Sequence, residues 1–137
     1  IEVHGSWRET VCWSCGDRRA MSEAIQRVVD GEADPQCVLC SGILKSATIL
    51  FGEPLVPAVI EAAFAAAEDC DLLLAIGTTL QVGPVNNAVP RAVQAGARVV
   101  IVNAEPTAMD RFADAVVLGP IAEIVPRLVG ANSRPER

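Results

Sequence analysis

Apolar and polar positions divide the chain into two regions of different character. Residues 5 to about 45 are polar and interrupted by Gly, Asp and Pro, whereas residues 48–130 alternate between aliphatic runs and segments of helical period. Three aliphatic runs predict buried strands: DLLLAIG at 71–77, RVVIVN at 98–103 and DAVVLG at 114–119. Each is short, aliphatic and bounded by turn or polar residues, the pattern of a strand covered on both faces. VPAVIEAAFAAAEDC at 56–70 predicts one helix from its apolar spacing. Asn86–Gln94 predicts a second, with Pro90 tolerable near its first turn and Gly96 at its end. IAEIVPRLVG at 121–130 predicts a third, with a kink or a start at Pro126. Strands and helices at this spacing predict right-handed βαβ units in a parallel sheet. IEVH at the N-terminus predicts the tail of a further strand.

The fold class is therefore α/β: an incomplete Rossmann-like, doubly wound parallel sheet with a small four-cysteine module. Three strands and a stub fall short of the five or six, roughly, of a complete doubly wound sheet. Residues 1–10 read as the end of a Rossmann strand and 11–45 as the cysteine module. Residues 46–130 read as the C-terminal half of the Rossmann-like domain, and 131–137 as a disordered tail.

Composition changes this picture little. The chain has 137 residues, 51% of them hydrophobic, enough for a packed core and too many for disorder. The aromatics are Trp7, Trp13, Phe51, Phe64 and Phe112, with no Tyr, which favours packed helices and parallel strands over a β-sandwich. The net charge of −6 argues against direct nucleic-acid binding. No apolar run reaches the length of a membrane span, so a membrane partner is not expected either. An odd count of five cysteines, four in two tight pairs, argues against a secreted disulfide framework and for a reducing, cytoplasmic compartment.

Candidate chemistry starts with those pairs. Cys12-x2-Cys15 and Cys37-x2-Cys40 match a tetrahedral four-thiolate zinc site. Such a site has no open position, so its role is structural, and the metal supplies folding energy that a polar loop lacks. The other reading is a redox-active or incidental set of thiols. Cys70, alone at the end of a predicted helix, reads as a packing residue. Ligands of doubly wound sheets bind at the carboxyl ends of strands. Here those ends carry GTTLQVGP at 77–84 and NAEPT at 103–107. Gly77 permits close approach, Thr78 and Thr79 offer hydroxyls and N–H groups, and Asn103 offers an amide. The same stretches also read as ordinary loops and caps, and the G-x-G-x-x-G fingerprint is absent. His4, the sole histidine, reads by itself as an incidental residue.

Taken in order, IEVHGS, CWSC, DPQCVLCSGILK, ILFGEPL, AIGTTLQVGP, VIVNAEPT and the DRFAD stretch resemble the sirtuins, the NAD-dependent protein deacylases. The resemblance runs from Ile1 to about Leu128. It implies NAD and Zn2+ as cofactors and an acyl-lysine protein or peptide as substrate. The acyl group would pass to ADP-ribose with release of nicotinamide. His4 matches the family's catalytic base, and Cys12, Cys15, Cys37 and Cys40 match its metal ligands. Gly77, Thr78 and Thr79 match the turn that contacts NAD, with Thr79 where serine is usual. Asn103 and Glu105 match contacts to the adenosine ribose. Phe51, Gly52 and Glu53 match the segment whose backbone pairs with the substrate peptide, and Val82 and Gly83 match the strand on its other side. The family's Gly-Ala-Gly loop and Gln-Asn-x-Asp motif do not occur in these residues. The resemblance therefore implies the C-terminal portion of a sirtuin, starting at the catalytic-histidine motif and inactive by itself. If the Ala- and Val-rich helical faces are exposed, self-association through the open sheet edge is expected. The alternative is a non-catalytic zinc-ribbon and half-Rossmann binding module. A nucleotide-binding domain of a thiamine-diphosphate enzyme is a more distant reading, opposed by the four cysteines.

Overall fold

The computed structural model describes residues 1–130. The disordered tail expected at 131–137 lies outside the described residues. The chain divides into two compact units, one spanning Ile1–Val59 and the other starting at Ile60.

The first unit is built on a three-stranded antiparallel sheet. Strand β1 (Gly5–Cys12) lies between β2 (Arg18–Ala20) and β3 (Leu44–Thr48), in the order β2-β1-β3. The β1–β3 register starts at Gly5↔Thr48 and Ser6↔Ala47, slips at a bulge, and resumes at Thr10↔Ser46 through Cys12↔Leu44. Helix α1 (Met21–Val29) follows β2 and buries none of its side chains. Buried positions here are few: Thr10, Cys12, Cys37 and Ala47. Two of the four are cysteines, so this unit has little apolar core and depends on what the sulfurs bind.

One expectation is corrected here. Residues 1–4 form no strand, and Gly5–Cys12 belongs to the antiparallel sheet of the cysteine module rather than to a parallel Rossmann sheet. The Gly5 N–H donates to the Glu2 carbonyl (3.0 Å), and this closes a turn where an extended strand would need both groups for a neighbour.

The second unit holds the parallel sheet. Strands β4 (Leu72–Ile76), β5 (Arg98–Asn103) and β6 (Ala115–Leu118) pair in the order β4-β5-β6. Helix α2 (Pro57–Glu68) leads into β4, α3 (Ala88–Ala95) connects β4 to β5, and α4 (Ile121–Leu128) follows β6. The central strand is the core: Val99, Ile101 and Val102 are fully buried. Val99 and Ile101 pack with Ala67, Ala75, Val89 and Ala92 on one face. Each such valine or isoleucine contributes roughly 1.5–3 kcal/mol of burial free energy.

The sequence predicts three buried strands, and only β5 is one. Leu72, Leu74 and Ile76 of β4 and Val116 and Leu118 of β6 are exposed, whereas Ala75, on the other face of β4, is buried in the core. The β5–β6 connection carries only a single 3-10 turn, Asp110–Phe112, where a βαβ unit would place a helix. Pro106 lies in this connection, and residues 104–114 are too few to lay a helix along the sheet. Helix α3 starts two residues later than Asn86, which leaves Pro90 within its first turn, and Gly96 ends it at φ 95°. Helix α4 starts after Pro120 and continues through Pro126 to Leu128, so Pro126 neither starts nor ends it.

Candidate functional site

The CxxC pairs stand on two tight turns. In the first, the Gly16 N–H donates to the Cys12 carbonyl (3.0 Å) and the Cys15 N–H points at the Cys12 sulfur (3.5 Å). In the second, the Ser41 N–H donates to the Cys37 carbonyl (2.8 Å). The turns are tied together by the Trp13 N–H on the Ile43 carbonyl (2.9 Å). The result brings four sulfurs, from Cys12, Cys15, Cys37 and Cys40, within 4.8 Å of one another. Cys12 and Cys37 are buried and Cys15 and Cys40 exposed. A side chain at Gly42 would place its Cβ 2.6 Å from the Ser14 hydroxyl and 2.9 Å from the Cys12 sulfur, so the second turn closes over the cluster only with glycine there.

The thiols divide their acidity unevenly. The Cys15 N–H, outweighing burial, lowers Cys12 to about 6. The Asp17 N–H acts to lower Cys15, but the neighbouring thiols of Cys40, Cys12 and Cys37 together with burial push it up to about 12. Cys40 is also raised: the Gly42 N–H opposes this, but the Cys12 and Cys37 thiols and burial prevail. Cys12 is thus the readier thiolate beside Cys15 and Cys40, and four convergent sulfurs at this separation suit tetrahedral Zn2+. The donor set and geometry therefore fit a structural zinc.

The antiparallel pairing of β1 and β3 puts His4 and the Phe51–Glu53 segment at the end of the sheet opposite Cys12. The His4 carbonyl accepts from the Ile49 N–H (2.8 Å), and the His4 side chain is exposed. Gly5 is required beside it. Its φ is +75°, and an added Cβ would lie 2.1 Å from the Ala47 carbonyl oxygen. Leu50 to Glu53 form a tight turn, closed by the Glu53 N–H on the Leu50 carbonyl (3.0 Å). Gly52 supplies the positive φ (+88°) that such a turn demands at its third residue. Phe51 stands fully exposed at its tip. The Glu53 carboxylate turns back into the protein, accepting from the Leu50 N–H (2.8 Å) and from Lys45 Nζ (3.1 Å). The Leu50 N–H and then Lys45 hold that carboxyl below its ordinary range.

In the second unit, the carboxyl ends of the three strands lie side by side. The Gly77 N–H donates to the Val102 carbonyl (2.9 Å), and the Gly119 N–H donates to the Asn103 carbonyl (2.9 Å). Gly77, Thr78 and Thr79 thus adjoin Asn103 and Glu105 at one edge. The Thr78 hydroxyl accepts from the Leu80 N–H (3.2 Å), and Asn103 Nδ2 donates to the Glu105 carbonyl (2.8 Å). Thr79 and Glu105 are exposed, and Asn103 is half-buried. The exposed Thr79 hydroxyl, with the remaining hydrogen-bonding capacity of Thr78 and Asn103 at the ends of parallel strands, suits a nucleotide. Val82 and Gly83 are exposed in a loop rather than in a strand. Two functional positions escape sequence reasoning. Gly42 is one, and its signal is the CSG that closes the second pair. Lys45 is the other, because a lysine three residues past a glycine predicts no particular partner.

A family model described as the Sir2 family matches residues 1–84. The NAD-dependent protein deacetylase 2 of Streptomyces coelicolor is 45% identical over 129 residues, covering 94% of this chain and 54% of that protein. An NAD-dependent protein deacetylase 1 from Pyrobaculum aerophilum is 39% identical over 94% of this chain and 50% of its own length. Among solved structures, a Sir2 protein bound to a myristoylated histone peptide is 34% identical with a TM-score of 0.83, covering 96% of this chain and 56% of that one. Another, with a p53 peptide and NAD+, is 25% identical with a TM-score of 0.83, covering 95% and 54%. The chain spans about half the length of the curated relatives it matches. With the family model covering more than half of these residues, and with the four-thiol cluster and strand-end turns in place, the chain belongs to the Sir2 family.

Proposed function

We propose that this chain serves NAD-dependent deacylation of protein lysines, with the acyl group passed to ADP-ribose and nicotinamide released. The observation that carries the reading is the 45% identity to a relative named as an NAD-dependent protein deacetylase, across 94% of the chain. NAD, when bound, supplies an electrophilic ribose carbon with nicotinamide as its leaving group. The chain's own residues take the remaining roles. His4, the exposed imidazole held by its backbone at the end of β1, accepts the proton of a ribose hydroxyl as the acyl group is transferred. Gly77, Thr78 and Thr79 bind the dinucleotide, and Asn103 and Glu105 bind its adenosine ribose. The backbone of Phe51–Glu53 adds an acyl-lysine peptide as a strand, and the exposed loop at Val82 and Gly83 offers a second stretch of backbone to it. A cytoplasmic setting belongs to the reading, supported by five cysteines that form no disulfide. Self-association through β4 belongs to it as well, supported by the exposure of Leu72, Leu74 and Ile76 on an outer strand.

The test replaces the matching half of the Streptomyces coelicolor relative with this chain. Nicotinamide release is then followed with NAD and an acetyl-lysine peptide. Peptide-dependent release is expected, falling by roughly 10²–10⁴ in His4→Ala. A folded, zinc-loaded chimera that releases none, beside an active parent, refutes the proposal.

A further inference from the structure

Lys45 is the only lysine in the chain, and its ammonium is a junction. It donates to the Thr48 carbonyl (2.9 Å) at the end of β3 and to Glu53 Oε2 (3.1 Å), and it lies over the Trp13 ring, 5.6 Å from the centroid. The same Glu53 oxygen accepts from the Leu50 N–H, across the mouth of the turn that carries Phe51 and Gly52. Three features set this pair apart from an ordinary surface ion pair. Its side chains are 21% and 32% exposed, against 54% and 49% for Arg18–Glu9 and 45% and 47% for Arg91–Glu68. Each partner also binds backbone, so loss of the pair leaves a backbone group short of a partner. Finally, Trp13 sits between Cys12 and Cys15, so one cation touches both the first cysteine turn and the Leu50–Glu53 turn.

We propose that Lys45 and Glu53 are positioning residues that clamp the Leu50–Glu53 turn to β3 and to the first cysteine turn, and so hold its backbone ready for an extended peptide. The second clause rests on the deacylase reading; the clamp itself does not. The turn has a local need for such a device. Gly52 has no side chain, Phe51 packs against nothing, and Leu50 is exposed. Without the Glu53 carboxylate only the single Glu53-to-Leu50 backbone bond closes it.

Limited chymotrypsin digestion of the zinc-loaded chain reads the clamp at the Phe51–Gly52 bond. Phe51 is already exposed, so cleavage there reports opening of the turn rather than access to one side chain. In Lys45→Met and Glu53→Gln cleavage is expected to rise on the order of tenfold, with zinc content unchanged. The double variant is expected to cleave no faster than Lys45→Met, and Lys45→Arg is expected to restore slow cleavage. Should Lys45→Met lose zinc or fail to fold, Glu53→Gln decides the question. Equal cleavage in wild type and Glu53→Gln overturns the clamp. The functional clause has its own readout: an acetyl-lysine peptide in excess is expected to protect the bond in the wild type. A clamp that passes the first test with no peptide protection refutes the peptide role and leaves the clamp standing.

Discussion

Replacing Gly5 by alanine should damage the zinc-binding unit far more than a methyl group suggests. Gly5 has φ +75°, and a Cβ built there meets the Ala47 carbonyl oxygen at 2.1 Å and the Thr48 Cα at 3.1 Å. The first contact lies more than an ångström inside van der Waals separation, and both atoms belong to backbone, so no side chain can rotate away. The left-handed conformation alone costs an L-residue about 1–2 kcal/mol. Relief of the clash requires β1 to lift from β3, which removes the Gly5↔Thr48 and Ser6↔Ala47 pairings and the Ile49-to-His4 bond. At about 1 kcal/mol for each of roughly three hydrogen bonds lost, this adds about 3 kcal/mol to the strain, about 4–5 kcal/mol in all. Gly31 provides the control. Its φ is +101° and nothing lies within 4 Å of its would-be Cβ, so Gly31→Ala carries the strain without the clash. Both tryptophans, Trp7 and Trp13, fall in the first unit, so intrinsic fluorescence during urea unfolding reports on that unit alone. With a slope of about 1 kcal/mol per molar urea for so small a unit, Gly5→Ala should lower the midpoint by about 4–5 M, or abolish the folded baseline. Gly31→Ala should lower it by about 1–2 M. Equal midpoints for the two variants would refute the close-approach argument.

Two further outcomes follow from the same unit. Chelation of zinc should collapse the tryptophan signal while leaving the helical circular dichroism of the second unit, and Cys37→Ser should bind markedly less zinc by elemental analysis; full zinc-free stability of the first unit would contradict this. Glu53 is held below its ordinary range by the Leu50 N–H and Lys45, so its contribution to the turn is complete above the ordinary glutamate pKa and fades as pH falls through the lowered folded value. Carboxyl NMR should find Glu53 titrating below the chain's exposed glutamates and moving up in Lys45→Met; an unmoved titration would exclude the ion pair as a cause.

How much of this was legible in the sequence depends on how local the cause is. The CxxC pairs announced a metal cluster, because two-residue spacing places two sulfurs on one turn whatever surrounds them. The three aliphatic runs and the helix-period segments were legible for the same reason: each follows from neighbours a few residues apart. The order of motifs along the chain is itself specific enough to point to the family. Burial was not legible. DLLLAIG and RVVIVN look equally suited to a core, yet Leu74 is half exposed and Ile101 has no exposed surface. The difference is the face of the sheet: Ala75 lies beside Ile101 and is buried with it, whereas Leu74 projects from the other face, and which face is covered is a property of the tertiary fold.

Tertiary structure alone also decided the direction of β1. IEVHGSWRETVC carries nothing that distinguishes a parallel strand from an antiparallel one, and its pairing with Leu44–Thr48 is fixed by groups more than thirty residues away. That pairing explains why glycine follows His4: the neighbour it must clear, Ala47, is absent from the local sequence. The same holds for Lys45, whose partners Glu53 and Trp13 meet only once β1, β3 and the two cysteine turns have closed on each other. Short-range chemistry set which elements form and which residues bind metal. Contacts across long separations set which strands are covered, which glycines are indispensable and which charge holds the turn beside His4.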